Sequence, residues 1–266
     1  TASPRLREFI MRNVESYDAV IVSTKRDLEG LIHAGYRGKA YQIYPYIDPE
    51  KWGEVEEKEL EETLANFGIQ EDDEIILVVA RMDRIKGQDT AVKAFSLVRK
   101  KHPHAKLFLV GDGSFTSSGL GHSKGENWRR ELKKTAQQLK VEDFVNFLGY
   151  VEEKKLKCLY SRADVVLLPS IMEGFGLTVV EAWNYMKPVV VSRGAGVSEL
   201  ILEKVNGLTH EPQNYEDLAE KIDYVLEHKE EALKMGQVGY ETAKQCSISG
   251  AMERLKTVFE TVLEKY

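Results

Sequence analysis

Short apolar runs alternate with longer amphipathic stretches through the middle of the chain. The apolar runs have the length of strands and lie at 74–80, 106–111, 144–149, 164–169 and 188–192. The stretches with apolar residues at helical spacing lie at 88–101, 128–140, 152–162, 177–186 and 199–203. Continuous apolar strands separated by amphipathic helices predict a parallel sheet that is covered on both faces. The pattern therefore predicts a doubly wound, Rossmann-like α/β fold.

The segment before this pattern predicts a smaller unit. Helices are expected at 4–17 and 24–33, and strands at 17–23 and 41–44. Pro45 and Pro49 then interrupt both kinds of structure, so a linker is expected there. Because so few elements cannot bury a core alone, we interpret residues 1–47 as the end of a preceding domain together with its linker.

The end of the chain and one internal loop also depart from the alternation. Residues 48–245 are assigned to the sheet domain, which ends with helices at about 214–228 and 229–245. A last helix at about 249–265, within a terminal segment 246–266, is expected to pack back on the preceding domain. Residues 113–125 are rich in Gly and Ser, which predicts a flexible insertion at the strand ends.

Net charge and cysteine content limit the partners and the cellular compartment that are expected for the protein. The formal net charge is -6, and no basic tail or stripe is present, so nucleic acid and anionic membranes are not expected as partners. The apolar runs are too short to cross a bilayer. Cys158 and Cys246 favour two free thiols in a reducing cytoplasm over a disulfide. The chain starts at Thr1 without a signal peptide, which suggests a trimmed or excised fragment.

The most informative segment is EGFGLTVVE at 173–181, which follows a strand and opens a helix. Its glycines allow close approach of a ligand, and the helix N-terminus favours phosphate or hydroxyl groups. Glu173 in the loop and Glu181 in the helix can face one crevice. Two simpler interpretations stay open: Thr178 and Glu181 form a capping box, and Glu173 is a solvated turn acid.

Two cations follow the first strand of the sheet. Arg81 and Lys86 lie at its carboxyl end, where open α/β sheets bind ligands. They are either solvated surface residues or ligands of phosphate oxygens. Because the sequence has no Asp-x-Asp pair to hold a metal, a diphosphate would be neutralised by these cations and by helix amides.

The ordered series ARMDRIKG, HPHAKLFLVGDG, FLGYV, ADVVLLPS, EGFGLTVVEA, KPVVVS and GVSELI resembles the carboxyl-terminal domain of glycosyltransferase family four. The resemblance covers roughly residues 74–245, and PYIDPEKW resembles that family's interdomain linker. It implies the carboxyl-terminal half of a two-domain GT-B fold and a retaining transferase. The EGFGLT wording is nearest to sucrose synthase, sucrose-phosphate synthase and trehalose synthase, which favours a nucleotide-glucose donor.

The resemblance also implies roles for individual residues. Arg81 and Lys86 would contact the donor diphosphate, and Glu173 would hold the transferred hexose; these three are the candidate catalytic residues. The candidate donor-binding residues are Gly111, Gly113, Tyr150, Val151, Gly174, Phe175, Gly176, Leu177, Thr178 and Glu181. Among them, the backbone of 174–176 would meet the hexose, the amides of 177 and 178 the diphosphate, Glu181 the ribose, and the turn at 149–151 the base.

Some positions depart from the family or carry no expected role. Residues 194–199 lack the family's proline, so the role of that loop is open. His102 and His104 are expected to be exposed and idle, because they fall at a helix-to-strand turn. The resemblance implies that the family's active-site histidine lies in the other domain. The apolar faces of the first and last helices would lack their covering domain and pair with each other or with a second copy. They comprise Phe9, Ile10, Val14, Leu255, Val258, Phe259 and Val262.

The expected function is therefore the transfer of a hexose, with glucose favoured, from a nucleoside-diphosphate sugar to a sugar or other hydroxyl acceptor. Neither a metal nor a further cofactor is expected. The chain alone would bind the nucleotide sugar and be inactive without its missing amino-terminal domain. A GT-B-fold epimerase, a phosphorylase and a non-catalytic nucleotide-sugar-binding module stay open as alternatives.

Overall fold

The computed structural model describes residues 4–113 and 121–264. Its strands are β1 Val20–Val22, β2 Ala40–Gln42, β3 Glu74–Val79, β4 Ala105–Val110, β5 Val145–Gly149, β6 Val165–Leu168, β7 Val189–Ser192 and β8 Leu208–His210. Its α-helices are α1 Pro4–Val14, α2 Lys25–His33, α3 Glu57–Asn66, α4 Gln88–Val98, α5 Gly121–Gln138, α6 Glu153–Arg162, α7 Leu177–Asn184, α8 Tyr215–Glu227, α9 Lys229–Ala243 and α10 Ile248–Leu263.

The main sheet is parallel and has the strand order β5-β4-β3-β6-β7-β8. The chain builds outward from β3 to β5 and then returns to place β6 on the other side of β3. The carboxyl ends of β3 and β6 therefore flank a topological switch point, where ligands of doubly wound folds bind. The predicted fold class is confirmed.

Alternating strand residues supply two separate cores. Ile76 and Val78 of β3 pack into one cluster with Phe95 of α4 and Leu132 of α5. On the opposite face, Ile75, Leu77 and their neighbours pack against α6 and α7, where Trp183 is fully buried. Burial on both faces is why these strands are continuously apolar in the sequence.

The structure corrects several predicted elements. The five predicted strands of the sheet are confirmed, but β8 adds a sixth that was missed, and α3 forms where no helix was expected. The predicted helix at 199–203 is instead a 3-10 turn at Gly196–Leu200. Part of the predicted flexible insertion is also wrong, because α5 begins at Gly121; residues 114–120 of that insertion lie outside the described residues.

The first and last segments of the chain pack together. β1 and β2 form a separate parallel pair, and Ile43 after β2 is buried against Ala251 and Val258 of α10. The linker and the start of α10 run side by side, since the Ile47 amide donates to the Cys246 carbonyl at 3.1 Å. Phe9 and Phe259, in contrast, remain 64% and 61% exposed.

The structure also bears on the expectations for the cysteines and for membrane-spanning helices. Both cysteines are free and buried, as favoured from the sequence. Among the described helices, none combines the length and the apolar character that crossing a bilayer requires.

Candidate functional site

Two loops meet at the switch point with their backbones in contact. After β3, the Asp83 carboxylate accepts the Ile85 amide at 3.1 Å and starts a short 3-10 turn that presents Lys86. Gly87 then takes φ +68°, and a Cβ atom there would collide with the Pro169 carbonyl after β6. The Ile171 amide donates to the Ile85 carbonyl at 2.8 Å, which completes the contact. The two loops therefore hold each other in fixed positions.

This contact brings Lys86 and Glu173 together. The Lys86 Nζ ion pairs with Glu173 Oε2, and the side chains are only 14% and 21% exposed. Ser170 Oγ donates to the same carboxylate oxygen at 3.4 Å. The interpretation of these residues as a solvated turn acid and a solvated surface cation is therefore wrong.

An open cleft of about 620 Å³ lies beside this pair. Its lining consists of Arg26, Asp27, Arg81, Ile85, Lys86, Ile171, Met172, Glu173, Gly174 and Gly194. The three candidate catalytic residues and Gly174 thus share one cavity, although Lys86 and Glu173 are 87 positions apart in the sequence. Within the described part of the chain, the other candidate donor-binding residues lie beyond the lining of this cleft.

Arg26 is a cleft residue that the sequence analysis missed. It lies in the first turn of α2, and its guanidinium donates to the carbonyls of Glu173 and Arg193 at 3.4 Å and of Gly194 at 3.5 Å. A basic residue near the N-terminus of a charged helix carries no pattern that marks a site. Only the tertiary contact between α2 and the loops after β6 and β7 brings it there.

The loop whose role was open holds α2 in this place. Glu199 Oε1 accepts the Lys25 amide at 3.0 Å and the Tyr44 hydroxyl at 2.9 Å, and Oε2 accepts the Arg26 amide at 3.3 Å. A carboxylate at the amides of a helix N-terminus is favourable. Burial, with the Glu199 carboxylate beside the hydroxyl, raises the pKa of Tyr44 well above its usual value. Glu199 therefore connects the first 47 residues to the sheet domain.

The EGFGLT segment continues from Glu173 into α7. Phe175 is buried against the Tyr44 ring at 5.6 Å, and its carbonyl accepts the Val197 amide at 2.8 Å. Gly176 is the N-cap of α7 with φ +114°, and a Cβ atom there would strike the Leu168 side chain. Glycine is required at this position by packing within the protein.

The capping box that stayed open as an alternative for Thr178 and Glu181 does not form. Thr178 Oγ1 donates to the Val79 carbonyl at 3.2 Å and so fastens α7 to the end of β3. The N-cap residue of α7 is Gly176, so Thr178 is the second residue of the helix and not its cap. Leu177, the first residue of the helix, is 36% exposed.

Glu181 lies in the second turn of α7, where Oε2 accepts the Tyr160 hydroxyl at 2.6 Å. Burial raises the pKa of Glu181, and the Tyr160 hydrogen bond opposes this shift in part. The Tyr160 ring is fully buried and stacks on Tyr185 at 6.1 Å, with Trp52 against both. Glu181 is thus a fixed, half-buried acid and not the partner of Thr178.

The remaining candidate residues lie at the carboxyl ends of β4 and β5. The Gly111 amide donates to the Gly149 carbonyl at 2.7 Å, and a Cβ atom at Gly111 would meet the Ala80 carbonyl. Gly113 lies against Gly125 of α5. The turn after β5 exposes 75% of Tyr150 and buries Val151.

A second charged cluster lies at the opposite, amino edge of the sheet. His102, expected to be exposed, is only 11% exposed and lies between Glu74 at 3.1 Å and Asp223 at 3.7 Å. That prediction is wrong for His102, because α8 packs over the turn that follows α4. His104 is exposed as predicted, but it pairs with Asp72 at 3.0 Å.

Across residues 4–113 and 121–264, no group of three His, Cys, Asp or Glu side chains could hold a metal ion.

Comparisons with known proteins find relatives by sequence and by fold. Residues 60–242 match the model of the family described as Glycosyl transferases group 1. The chain is 32% identical over 243 residues to a trehalose synthase of Thermococcus litoralis, covering 90% of this chain and 56% of that protein. It is 24% identical over 254 residues to a D-inositol 3-phosphate glycosyltransferase of Corynebacterium kroppenstedtii, covering 95% and 55%.

Solved structures agree in fold. Anabaena HepE in complex with UDP and glucose aligns with a TM-score of 0.84 and 21% identity, covering 97% of this chain and 67% of that one. Sucrose-phosphate synthase from Thermosynechococcus elongatus aligns with a TM-score of 0.84 and 24% identity, covering 100% and 65%. The chain spans little more than half the length of the two curated relatives named above.

Proposed function

The chain belongs to the glycosyl transferases group 1 family, and from that premise we propose that it is the donor-binding part of a retaining hexosyltransferase. The donor is a nucleoside-diphosphate sugar, with glucose as the first hexose to test. The acceptor is the hydroxyl group of a sugar or of another molecule. The observation that carries the proposal is the shared cleft of Arg81, Lys86 and Glu173 at the switch point of the sheet.

The two cations suit the leaving group of this reaction. As the bond from the anomeric carbon to the phosphate oxygen breaks, negative charge grows on the diphosphate. Arg81 and Lys86 line the cleft where they can stabilise that charge. The acceptor oxygen forms the new bond on the same face of the sugar, and the departing phosphate oxygen takes the acceptor proton. Glu173 and the backbone of Gly174 hold the hexose hydroxyls.

The nucleoside end of the donor lies farther along the carboxyl edge in this proposal. The amides of Leu177 and Thr178 at the start of α7 meet the diphosphate. Glu181 accepts the ribose hydroxyls through Oε1, since the Tyr160 hydrogen bond engages Oε2 and fixes the carboxylate. The base lies against Tyr150 and Val151, beyond the glycines at 111 and 113.

No metal or further cofactor takes part in the proposed reaction, because Arg81, Lys86 and the α7 amides supply the positive charge. The two free thiols support a reducing cytoplasm as the place where the enzyme works.

The acceptor site belongs to an amino-terminal domain that we propose precedes this chain in the intact protein. Phe9 of α1 and Phe259 of α10 carry exposed apolar rings, and such rings favour a covering surface. That surface is the missing domain or, in its absence, a second copy. Without it, the cleft is open to water and the acceptor is not oriented.

Calorimetry with UDP, ADP and GDP, followed by a transfer assay with the matching nucleotide glucose, tests the proposal. We expect the chain alone to bind at least one nucleotide and to transfer no sugar. The same chain joined to its amino-terminal domain should transfer glucose to an added hydroxyl acceptor with retention of anomeric configuration. No binding of any nucleotide would refute the donor-site assignment, and formation of an epimerised nucleotide sugar would refute the transfer reaction.

A further inference from the structure

The ion pair between Lys86 and Glu173 joins two groups that have different roles in the proposed function. Lys86 should bind the diphosphate, and Glu173 should bind the hexose. In the structure, each already has the other as a charged partner, in a part of the site where both side chains are largely shielded from water. A donor that enters the site therefore finds Lys86, the cation that its diphosphate needs, already paired with Glu173.

The backbone around this pair leaves little freedom except in the side chains. The Glu173 amide donates to the Gly194 carbonyl at 3.2 Å, and its carbonyl accepts the Gly196 amide at 3.1 Å. Lys86 is held by the 3-10 turn and by the close packing of Gly87 on Pro169. A ligand that enters the cleft can therefore exchange the partners of the two side chains without moving either loop.

We propose that Glu173 is an internal competitor of the donor diphosphate for Lys86, and that it sets the preference of the site for the intact nucleotide sugar. This inference rests on the proposed function. A nucleotide sugar compensates both members of the pair, because its phosphate replaces Glu173 at Lys86 and its hexose hydroxyls replace Lys86 at Glu173. A free nucleoside diphosphate compensates only Lys86 and leaves a shielded carboxylate without its charged partner, with Ser170 as its remaining side-chain contact, which is costly.

The same exchange acts on the product. Once the hexose has left for the acceptor, Glu173 loses its hydroxyl partners and returns to Lys86. The nucleoside diphosphate then loses a cation contact and dissociates more readily. The ion pair thus disfavours the product complex relative to the substrate complex.

The test compares three probes on the full chain and on Glu173→Gln. The probes are inorganic pyrophosphate, the nucleoside diphosphate that the wild type binds best among UDP, ADP and GDP, and its glucose ester. Removing the competing carboxylate should increase the affinity for pyrophosphate and for the nucleoside diphosphate by about tenfold, a modest value for a close charge pair. The affinity for the glucose ester should not increase, because the ester loses its hexose contact with Glu173 at the same time.

Two controls separate competition from general charge. Asp27 is an exposed residue that lines the same cleft, so Asp27→Asn removes an equal charge without freeing Lys86 and should change pyrophosphate affinity less than threefold. In a Lys86→Ala background, Glu173→Gln should no longer tighten pyrophosphate, because the pair that it breaks is already gone.

The outcomes distinguish the inference from the function on which it rests. If the wild type binds no nucleotide or nucleotide sugar, the proposed function fails. If the wild type binds them but Glu173→Gln increases the affinity for none of the probes, the competition is refuted while the donor site stands. The same holds if Glu173→Gln increases pyrophosphate affinity equally with and without Lys86. If Glu173→Gln does not fold, Glu173→Asp is used instead, because its shorter side chain weakens the ion pair with Lys86. Pyrophosphate affinity is then compared with and without Lys86 in the same way, and the expected gain is smaller.

Discussion

The two edges of the sheet each carry a cluster of paired charges, and their burial is nearly the same. At the carboxyl edge, Lys86 and Glu173 are 14% and 21% exposed. At the amino edge, His102, Glu74 and Asp223 are 11%, 16% and 13% exposed. Burial alone therefore does not tell a binding site from a structural ion pair.

The surroundings of the two clusters do differ. The carboxyl-edge pair borders a cleft of about 620 Å³ that also contains Arg81. At the amino edge, the turn after α4 is covered by α8, and Lys101 and Lys229 add further ion pairs to Asp223 and Glu74. A ligand in the cleft can reach Lys86 and Glu173 and replace their contacts with each other. The contacts of His102 at the amino edge are covered by α8 and are not open to such an exchange. We infer that the carboxyl edge serves binding and that the amino edge serves stability.

The largest expected effect is on turnover at the carboxyl edge. In the intact enzyme, Lys86→Ala and Arg81→Ala should each lower kcat by about 10²–10³, the range for losing one electrostatic stabiliser. The melting temperature should change little for Arg81→Ala, which removes an exposed loop side chain, and should fall for Lys86→Ala, which leaves the shielded Glu173 carboxylate without its charged partner. Steady-state kinetics and thermal unfolding measure the two quantities.

Lys101→Ala is the matched control, since Lys101 is also a lysine paired with an acid but lies at the amino edge. It should leave kcat unchanged. Near-normal turnover of either cleft variant would remove that residue from the diphosphate site. An equal loss in Lys101→Ala would break the distinction between the edges.

An intermediate effect is expected at Glu181. In the proposed function, Glu181→Gln removes a charge-assisted hydrogen bond to the ribose, worth about 1.5–3 kcal/mol, so donor affinity should fall by about 10- to 150-fold. Donor titration at matched melting temperature measures this loss.

Tyr160→Phe is the control for a purely structural role of that acid. It keeps the stacked ring but removes the hydroxyl that orients the carboxylate, so the loss of donor affinity should be smaller than for Glu181→Gln. Unchanged affinity in Glu181→Gln would exclude the ribose role.

The smallest effect on function is expected at the amino edge. Asp223→Asn should lower the free energy of unfolding by about 1–3 kcal/mol, because it weakens the contacts of a nearly buried carboxylate with His102 and Lys101. Donor binding should not change. Asp72→Asn, at the exposed pair with His104, should leave stability almost unaltered. A loss of donor affinity in Asp223→Asn without unfolding would show that the two edges are coupled.

The sequence was sufficient for β3 to β7 because burial on both faces demands continuously apolar runs. β8 was missed because it has three residues and only one of them, Leu208, is apolar. α3 was missed because EKELEETLAN is dominated by charge, and its stability depends on packing against α6. Periodicity detects an element through its own buried face and fails where that face is short or mostly polar.

The candidate site was predictable in part for a similar reason. Lys86 and Glu173 follow strands whose ends meet in a doubly wound sheet, so a shared cleft was expected. Their direct pairing was not, because it depends on side-chain geometry between two loops. The capping box was wrong because Thr178 bonds to β3, a partner that local spacing does not reveal. Arg26 and Glu199 were missed because their contact joins distant parts of the chain.

The cluster between β2 and α10 has a consequence for the order of events during synthesis. The hydrogen bond from Lys39 Nζ to the Thr261 carbonyl connects residues 222 positions apart. A ribosome therefore completes β1 and β2, and then the whole six-stranded sheet, before α10 leaves the exit tunnel. Closing so long a loop is slow, and the early strand pair waits with an uncovered apolar face. Among the described elements, the first strand pair is covered by the last helix, so the apolar face of that pair stays exposed until α10 has been made.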